Sequence, residues 1–268
     1  MKGIVLAGGT GSRLAPLTRI TNKHLLPIGN QPMIGYAIDA LVHAGITQIM
    51  IVTGGTHAGE FIRLFGSGRD HGVLLTYAYQ EKPGGIAEAL SLTEHFAEAD
   101  PIVVLLGDNI FEYSLAPSIE PFRRDPHGAM VVLAELQDQH HLQHLGVPTF
   151  DDHGTITRII EKPADPPSHF AATGLYCYDN TVYDIIKTLT PSARGELEIS
   201  DVNNHYIQRG QLKHAILHGF WGDAGESIDA SYAVSDYVRQ HGANKPRPFH
   251  TRKPEQPALT TTRNGQHA

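Results

Sequence analysis

The chain has 268 residues, which is long enough for one large α/β domain or two small ones with a sizeable core. It is 41% hydrophobic and 18% charged. No apolar run approaches the ~18 residues of a membrane span, and a formal net charge of -7 argues against general attraction to nucleic acid or to anionic lipid. Cys177 is the single cysteine, which excludes an internal disulfide; because the chain also opens on a strand pattern and not on an apolar leader, we expect a cytoplasmic protein.

The first half of the chain alternates strand and helix patterns. The predicted strands are Gly3–Ala7, Ile49–Thr53, Val73–Tyr79 and Ile102–Leu106, and the predicted helices are Met33–Ala44, Thr56–Phe65 and Ile86–Phe96. Strands that alternate with helices of this length predict βαβ units and a parallel sheet. The strands are continuously apolar, as expected of a sheet that is covered on both faces.

The second half is less regular, and several of its strands are expected to be antiparallel. The predicted strands are Ala129–Leu136, Gly146–Phe150, Thr155–Ile160, Ala171–Tyr178 and Lys213–Leu217, and the predicted helices are Thr181–Leu189, Glu198–Arg209 and Ile228–Arg239. Residues 1–241 are therefore interpreted as one domain, with residues 1–110 as its first half and 111–241 as its second. Residues 242–268 are rich in Pro, Arg, Thr and Gln and are predicted to be a disordered tail.

A glycine loop, Gly8–Leu14, follows the first predicted strand within an opening stretch, residues 1–38, that contains no Asp or Glu. Glycines let a backbone approach a ligand closely and point N–H groups at phosphate oxygens. The dinucleotide fingerprint needs a glycine where Leu14 stands, and the P-loop needs a Gly-Lys-Ser/Thr ending that is missing, so neither motif fits. Arg13 at the exit of the loop and Lys23 ten residues later predict a triphosphate site; the alternative is a glycine turn with solvated basic residues.

Two aspartates are candidate metal ligands. Asp108 comes directly after the strand Ile102–Leu106, at the end where parallel sheets bind their ligands, and Asp223 lies between two glycines beside Trp221. Carboxylate oxygens are ligands that Mg²⁺ prefers. For each residue the alternative is an ordinary aspartate that caps a turn or a helix.

Polar side chains also end two other predicted strands. Glu161 can accept hydrogen bonds from sugar hydroxyls and Lys162 can pair with a phosphate, while Gln80 offers the donor and acceptor that a pyrimidine edge requires. Such residues are more often simple turn formers.

A histidine-rich segment precedes Gly146. His140, His141 and His144 include a pair one helical turn apart, a spacing that zinc can use. Without any further ligand signature, this segment is interpreted as a solvated loop.

Six motifs occur together and in order between Met1 and Val238. They are Gly8–Leu14 with Pro16-Leu17-Thr18, Asn22-Lys23-His24-Leu25-Leu26-Pro27, Gly107-Asp108-Asn109, Glu161-Lys162-Pro163, Arg194-Gly195-Glu196-Leu197-Glu198-Ile199 and Trp221-Gly222-Asp223-Ala224-Gly225. Together they resemble the short-chain glucose-1-phosphate thymidylyltransferases of the sugar-1-phosphate nucleotidylyltransferase family. The resemblance implies a Rossmann-like mixed, mainly parallel sheet flanked by helices, with a sugar-binding lobe in the second half.

The same resemblance implies a reaction and its ligands. The reaction would be Mg²⁺-dependent transfer of a nucleotidyl group from dTTP to α-D-glucose 1-phosphate by direct in-line displacement, giving dTDP-glucose, a precursor of dTDP-rhamnose, and pyrophosphate. The implied nucleotide-binding residues are Gly8, Gly9, Thr10, Gly11, Arg13, Lys23, Gln80 and Gly85. The implied sugar-phosphate-binding residues are Asn109, Gly146, Glu161, Lys162, Ala172 and Arg194. Asp108 and Asp223 would hold Mg²⁺, with Arg13, Lys23 and Lys162 as catalytic cations. Neither a nucleic acid nor a membrane is an implied partner, and the oligomer implied is a homotetramer.

The chain also departs from the family pattern. His24 stands where many members have Gln, Ala172 replaces a usual Val, and the Pro-rich tail replaces helices that form a regulatory nucleotide site in long members. Two alternative functions stay open: a UTP-using uridylyltransferase, since thymine and uracil differ by one methyl group, and a non-catalytic homologue that binds nucleotide or sugar phosphate.

Overall fold

The computed structural model describes residues 1–246, and strands alternate with helices through most of that range. The strands are β1 (Lys2–Ala7), β2 (Pro27–Ile28), β3 (Gln31–Pro32), β4 (Gln48–Gly54), β5 (Leu74–Gln80), β6 (Ile102–Leu106), β7 (Asn109–Phe111), β8 (Ala129–Glu135), β9 (Gly146–Phe150), β10 (Ile156–Glu161), β11 (Phe170–Tyr178), β12 (Leu212–Ile216) and β13 (Trp221–Asp223). The α-helices are α1 (Met33–His43), α2 (Ala58–Phe65), α3 (Ile86–Ser91), α4 (Glu94–Ala97), α5 (Ala116–Arg124), α6 (Gln139–Leu142), α7 (Val182–Thr188), α8 (Ile199–Gln208) and α9 (Ile228–His241). Short 3₁₀ helices lie at Ser12–Leu14, Leu17–Arg19, Lys23–Leu25 and Arg69–His71.

Within the described residues, a seven-stranded sheet in the order β12-β8-β11-β6-β1-β4-β5 spans both halves of the chain. Neighbouring strands are parallel except at β11, which runs antiparallel to both β6 and β8. The predicted mixed, mainly parallel α/β fold is therefore confirmed. The hairpin of β9 and β10 lies outside this sheet, and its contacts with α8 and β11 place it over the second half.

Helices cover both faces of the sheet because its central strands are apolar on both sides. Along β1, Val5 packs into a core shared with α1, α2 and α5, whereas Ile4 and Leu6 point into a second core shared with α3, α7 and α8. Successive side chains of a strand point to opposite faces, so one continuous apolar run serves both cores. This arrangement leaves the carboxyl ends of the parallel strands open for a ligand.

A third apolar cluster joins the last helix to the beginning of the chain. Val234 and Val238 of α9 pack with Leu14, Ile28 and other buried residues from the amino-terminal segment. This contact brings β13, which comes just before α9, back to the glycine loop.

Most predicted elements agree with the structure to within two residues, but the helix predicted over Ile86–Phe96 is wrong as a single helix. It breaks into α3 and α4 around Thr93, which is fully buried. The Thr93 hydroxyl donates to Leu90 O at 2.7 Å and shares a hydrogen bond with the Tyr183 hydroxyl at 2.9 Å. A threonine side chain that bonds to nearby backbone competes with regular helix, which accounts for the break.

The boundary predicted at residues 241/242 also needs correction. Asn244 N donates to Phe111 O at 2.9 Å and Lys245 N donates to Glu112 O at 2.8 Å, so residues 242–246 are part of the folded unit. The remainder of the predicted tail, residues 247–268, lies outside the described residues. Within residues 1–246, none of the helices is both long enough and apolar enough to cross a membrane.

Candidate active site

A cleft of about 580 Å³ opens beyond the carboxyl ends of β1, β5 and β6 and continues to β10 and β11. Every site residue named from the sequence lines it, which brings together residues that are more than two hundred positions apart. These are Gly8, Gly9, Thr10, Gly11, Arg13, Lys23, Gln80, Gly85, Asp108, Asn109, Gly146, Glu161, Lys162, Ala172, Arg194 and Asp223.

The glycine loop is held against the segment that carries Lys23. Gly11 has a φ of +62°, which L side chains rarely adopt, and a Cβ there would lie 2.9 Å from Thr18 and 3.0 Å from Lys23. Thr18 Oγ1 donates to Gly11 O at 2.9 Å, which also holds the glycine loop against this segment. Arg13, at the exit of the loop, is exposed.

Lys23 reaches the centre of the cleft from a short 3₁₀ turn. Asn22 caps this turn, because its Oδ1 accepts from His24 N at 2.9 Å. From here Lys23 Nζ donates to Asp108 Oδ2 at 2.5 Å. The two side chains are only 13% and 9% exposed, so their charges pair with little help from water.

Asp223 lies beside this ion pair because β13 pairs with β7. Asp223 is opposite Asn109 in the antiparallel register, and Ala224 N donates to Asp108 O at 2.9 Å. Gly225 then packs against the ion pair: a Cβ there would overlap Asp108 Oδ2 and lie 2.8 Å from Lys23 Nζ. Two aspartates 115 positions apart in sequence therefore share one buried cluster with Lys23.

The charges in this cluster set the ionisation of both aspartates. Burial alone would raise the pKa of Asp108, but the adjacent Lys23 ammonium outweighs it and holds that pKa below its usual range. Burial and, second, the negative charge of Asp108 raise the pKa of Asp223 to about 7, although Lys23 and Arg13 act against the rise. The cluster is thus short of positive charge, and a further cation between these carboxylates would be stabilised.

Glu161, Lys162 and Arg194 line the cleft near the end of β10 and the start of α8. Glu161 Oε2 accepts from Ser200 Oγ at 2.5 Å, while its Oε1 lies 3.7 Å from Lys162 Nζ and 3.6 Å from Arg194 Nη2. Arg194 is anchored by Glu198, which accepts from both Nε at 3.2 Å and Nη2 at 2.7 Å. This part of the cleft therefore combines two partly exposed cations with a carboxylate, a pattern suited to a phosphate that carries a hydroxylated group.

Gln80 and Gly85 line the cleft where β5 leads into α3. Gly85 has a φ of +101°, and a Cβ would lie 2.5 Å from Leu197 O, so only glycine fits there. Gln80 is 5% exposed, and its Oε1 lies directly over Gly8.

The residues that fix Asn109 could not be recognised as such from the sequence. Its Oδ1 accepts from Trp221 Nε1 at 2.6 Å and from Gly174 N at 3.0 Å, and its Nδ2 donates to Asp108 Oδ1 at 3.0 Å. Asn109 is therefore held between the carboxylate cluster and β11. Trp221 was recognisable only as an aromatic beside Asp223, and no sequence signal pointed to Gly174.

The histidine-rich segment is not simply a solvated loop. The His141 ring stacks on Trp221, with centroids 6.0 Å apart, and its Nε2 lies 3.1 Å from a carboxylate oxygen of Glu226; His144 and Glu226 both line the cleft. Within residues 1–246, no group of three or more His, Cys, Asp or Glu is arranged to hold a metal ion. The segment therefore packs beside the site.

His24 is also part of the site, although the sequence showed only that it departs from a family pattern. It is 2% exposed, lines the cleft, and its Nδ1 lies 2.8 Å from Asn22 Oδ1. Burial, followed by the nearby Lys23 charge, lowers the pKa of His24 to about 3. The imidazole is therefore neutral at physiological pH.

Comparison with known proteins gives consistent results. The model of the family described as "Nucleotidyl transferase" matches residues 2–240. Two glucose-1-phosphate thymidylyltransferases are similar over most of the chain. That of an Actinoplanes species is 41% identical over 242 residues, which cover 89% of this chain and 78% of the relative. That of Neisseria meningitidis is 42% identical over 238 residues, which cover 88% of this chain and 82% of the relative. The crystal structure of a protein proposed to be a glucose-1-phosphate thymidylyltransferase from Bacillus anthracis, in complex with sucrose, matches with a TM-score of 0.84 and 47% identity, covering 89% of this chain and 95% of that one.

Proposed function

Because the chain belongs to the nucleotidyl transferase family, we propose that it transfers the thymidylyl group of dTTP to α-D-glucose 1-phosphate and releases pyrophosphate. The chain is a sugar-1-phosphate nucleotidyltransferase. What we propose beyond this is the identity of the base, of the hexose and of the metal ion. The observation that carries the proposal is that one cleft brings together the glycine loop, the Lys23–Asp108–Asp223 cluster, and Lys162 with Arg194, and that Gln80 lines the same cleft.

The reaction needs positioning and charge neutralisation more than proton transfer. An oxygen of the sugar phosphate is already ionised at neutral pH and attacks the α-phosphorus; the bond to that phosphorus forms as the bond to pyrophosphate breaks on the opposite side. Two polyanions must meet, so we assign Arg13, Lys23 and the N–H groups of the glycine loop to the triphosphate and Lys162 to the acceptor phosphate. His24 is next to Lys23 in sequence, and its lowered pKa keeps the imidazole neutral, so it is not positioned as an imidazolium acid for this reaction.

A magnesium ion fits the carboxylates at the centre of the cleft. Asp108 and Asp223 supply oxygen ligands of the kind that Mg²⁺ prefers, and the raised pKa of Asp223 reflects burial and unrelieved repulsion that a cation would reduce. When bound, Mg²⁺ would neutralise phosphate charge. The chain contributes the two carboxylates, and Lys23 keeps Asp108 ionised.

Release of pyrophosphate from dTTP, UTP, ATP and GTP tests the proposal when each is incubated with glucose 1-phosphate and Mg²⁺. We expect the highest kcat/KM with dTTP, a smaller one with UTP, and none without acceptor. A clear preference for UTP would identify a uridylyltransferase. No turnover with any of the four would identify a non-catalytic homologue.

We also propose a homotetramer that works in the cytoplasm. The family resemblance supports the tetramer, and the phosphorylated substrates support the location. Light scattering of the purified chain should give about four times the protomer mass of 29.2 kDa. The monomer mass would contradict the tetramer.

A further inference from the structure

The side-chain amide of Gln80 is held in one orientation by two acceptors. Its Nε2 donates to Gly85 O at 3.3 Å and to a carboxylate oxygen of Glu88. An NH₂ group has two donors, and both are used here within the protein. The carbonyl Oε1 is the group left to face Gly8 in the cleft.

Glu88 favours this orientation of the Gln80 amide over the flipped one. Gln80 is 5% exposed, so a flipped amide would place its carbonyl against the carboxylate of Glu88 and the carbonyl of Gly85, with little water to compensate. Three acceptors would then face one another, and the NH₂ group would lose both of its partners. Glu88 is partly buried on α3 and lies over Gly84, where a Cβ would come within 3.2 Å of its Oε2.

We propose that Glu88 is a positioning residue that selects the base of the nucleotide by fixing Gln80 as a hydrogen-bond acceptor in the cleft. The inference rests on the proposed function, in which Gln80 meets the base. Thymine and uracil carry an imide N3–H that can donate to Oε1. The N3 of cytosine is an acceptor, so cytosine would bring two acceptors together.

This contact would discriminate between classes of pyrimidine base, but it would not distinguish thymine from uracil, which differ only by the methyl group. Glu88 admits imide pyrimidines and disfavours cytosine, while it leaves thymine and uracil to be separated by other contacts. A site built around a hydrogen bond rejects the analogue that cannot make it, because a buried polar group is then left unpaired.

Equilibrium binding of dTTP and dCTP, each with Mg²⁺ and without sugar phosphate, tests the inference by calorimetry. The key variant is Glu88→Gln, which has nearly the same shape but offers an NH₂ group as well as a carbonyl, so the Gln80 amide can turn either way. We expect the ratio of Kd for dCTP to Kd for dTTP to fall on the order of tenfold or more, in line with one hydrogen bond gained or lost. Glu88→Ala, which removes the acceptor altogether, should reduce the same ratio.

The matched control is Glu81→Gln. Glu81 is an exposed carboxylate next to Gln80 in sequence, so this variant makes the same change of charge without touching the amide. We expect its ratio to equal that of the unmodified chain. Because each ratio compares two ligands on one sample, it does not depend on the fraction of folded protein.

The experiment distinguishes failure of the Glu88 inference from failure of the proposed function. If the unmodified chain prefers dTTP to dCTP and both Glu88 variants keep that ratio, the positioning role of Glu88 is wrong while the proposed function stands. If the unmodified chain prefers dCTP, the thymidylyl donor is wrong as well. A purely structural role for Glu88 would weaken both nucleotides equally, which also overturns the inference.

Discussion

Lys23 and Asp108 carry opposite charges in a place where neither is well hydrated. Removing one partner of such a buried pair leaves an uncompensated charge, which is costly for folding, on the order of 3–5 kcal/mol. Here Asp223 is also close enough to raise the pKa of Lys23, so the ammonium keeps one anionic neighbour when Asp108 is neutralised. A neutral substitution at position 108 should therefore affect catalysis more than folding.

Asp108→Asn is expected to lower kcat by ~10²–10³, comparable to the loss of one preorganised electrostatic group, while the chain still folds. The physical reason is the loss of a carboxylate that we assign to Mg²⁺ and that neutralises Lys23. Steady-state kinetics at saturating Mg²⁺ and circular dichroism provide the measurement. Asp152→Asn, at an exposed aspartate, is the control and should keep its activity. Near-normal turnover of Asp108→Asn would contradict the assignment to the metal.

Lys162→Ala should raise KM for glucose 1-phosphate more than KM for dTTP. Lys162 Nζ lies 3.7 Å from Glu161 Oε1, in the group that we assign to the sugar phosphate, so its loss should weaken that substrate selectively. We expect an increase of roughly tenfold or more for the sugar phosphate, since hydrogen bonds to charged groups contribute about 1.5–3 kcal/mol. Initial rates with each substrate varied in turn give both constants. Lys187→Ala, which removes an exposed lysine paired with Glu94, is the control, and an equal rise of both constants would exclude Lys162 as the acceptor-phosphate ligand.

At the scale of elements, β7 and β13 decide whether the two aspartates meet. Each is three residues long, and their pairing places Asp223 opposite Asn109. The turn after β13 then runs over the ion pair, where Gly225 leaves no room for a side chain. The geometry of the cluster thus depends on one short ladder and one glycine.

Gly225→Ala should lower kcat and cost about 1–3 kcal/mol of stability, as expected when a well-packed interior is overpacked. The added Cβ would overlap Asp108 Oδ2, so either the carboxylate or the turn must shift, and a displacement of about 1 Å in a catalytic group can cost on the order of 10²-fold. Gly59→Ala is the matched control, because a Cβ at that position in α2 meets nothing within 4 Å. Turnover numbers and thermal unfolding of both variants are compared. Unchanged turnover of Gly225→Ala would show that the contact does not constrain the cluster.

The long elements could be predicted from the sequence because their patterns are local. The apolar run of β6 and the helical spacing of α1 need no tertiary information. By contrast, β7 and β13 are too short to show any period, and only their pairing stabilises them. The helix predicted over Ile86–Phe96 failed for a similar reason: the partner of Thr93 is Tyr183, ninety residues away.

The candidate site divides in the same way. Residues in recognisable motifs could be named: Gly11 and Asp108 follow strands, and Lys23 is a basic residue in the acid-free opening segment. Residues that act on those side chains could not be named. Glu88 contacts Gln80 and Ser200 contacts Glu161 through folding alone, and neither contact leaves a signal in the sequence.

For the whole molecule, the end of the described chain closes the structure around the site. Residues 242–246 run beside the β7 segment: Asn244 N donates to Phe111 O, Lys245 N to Glu112 O, and Ser114 N to Lys245 O. Asn244 Nδ2 also donates to Tyr36 O on α1 at 2.9 Å, and Lys245 Nζ pairs with Glu112 at 2.9 Å. This five-residue strap therefore joins α1 and the strand that follows Asp108.

A chain that ends at residue 241 should be less stable than one that ends at residue 246, by about 2–4 kcal/mol. The estimate follows from four of these hydrogen bonds at about 0.5–1.5 kcal/mol each, leaving aside the Lys245–Glu112 ion pair, reduced by what water restores to the exposed backbone. Because the strap borders β7, kcat should also fall in the shorter chain. Urea unfolding and steady-state kinetics of the two chains measure both effects. Asn244→Ala in the longer chain isolates the Tyr36 contact and should lower the free energy of unfolding by less than the full deletion does. Equal unfolding midpoints for the two chains would mean that the strap contributes nothing and that the domain ends at residue 241.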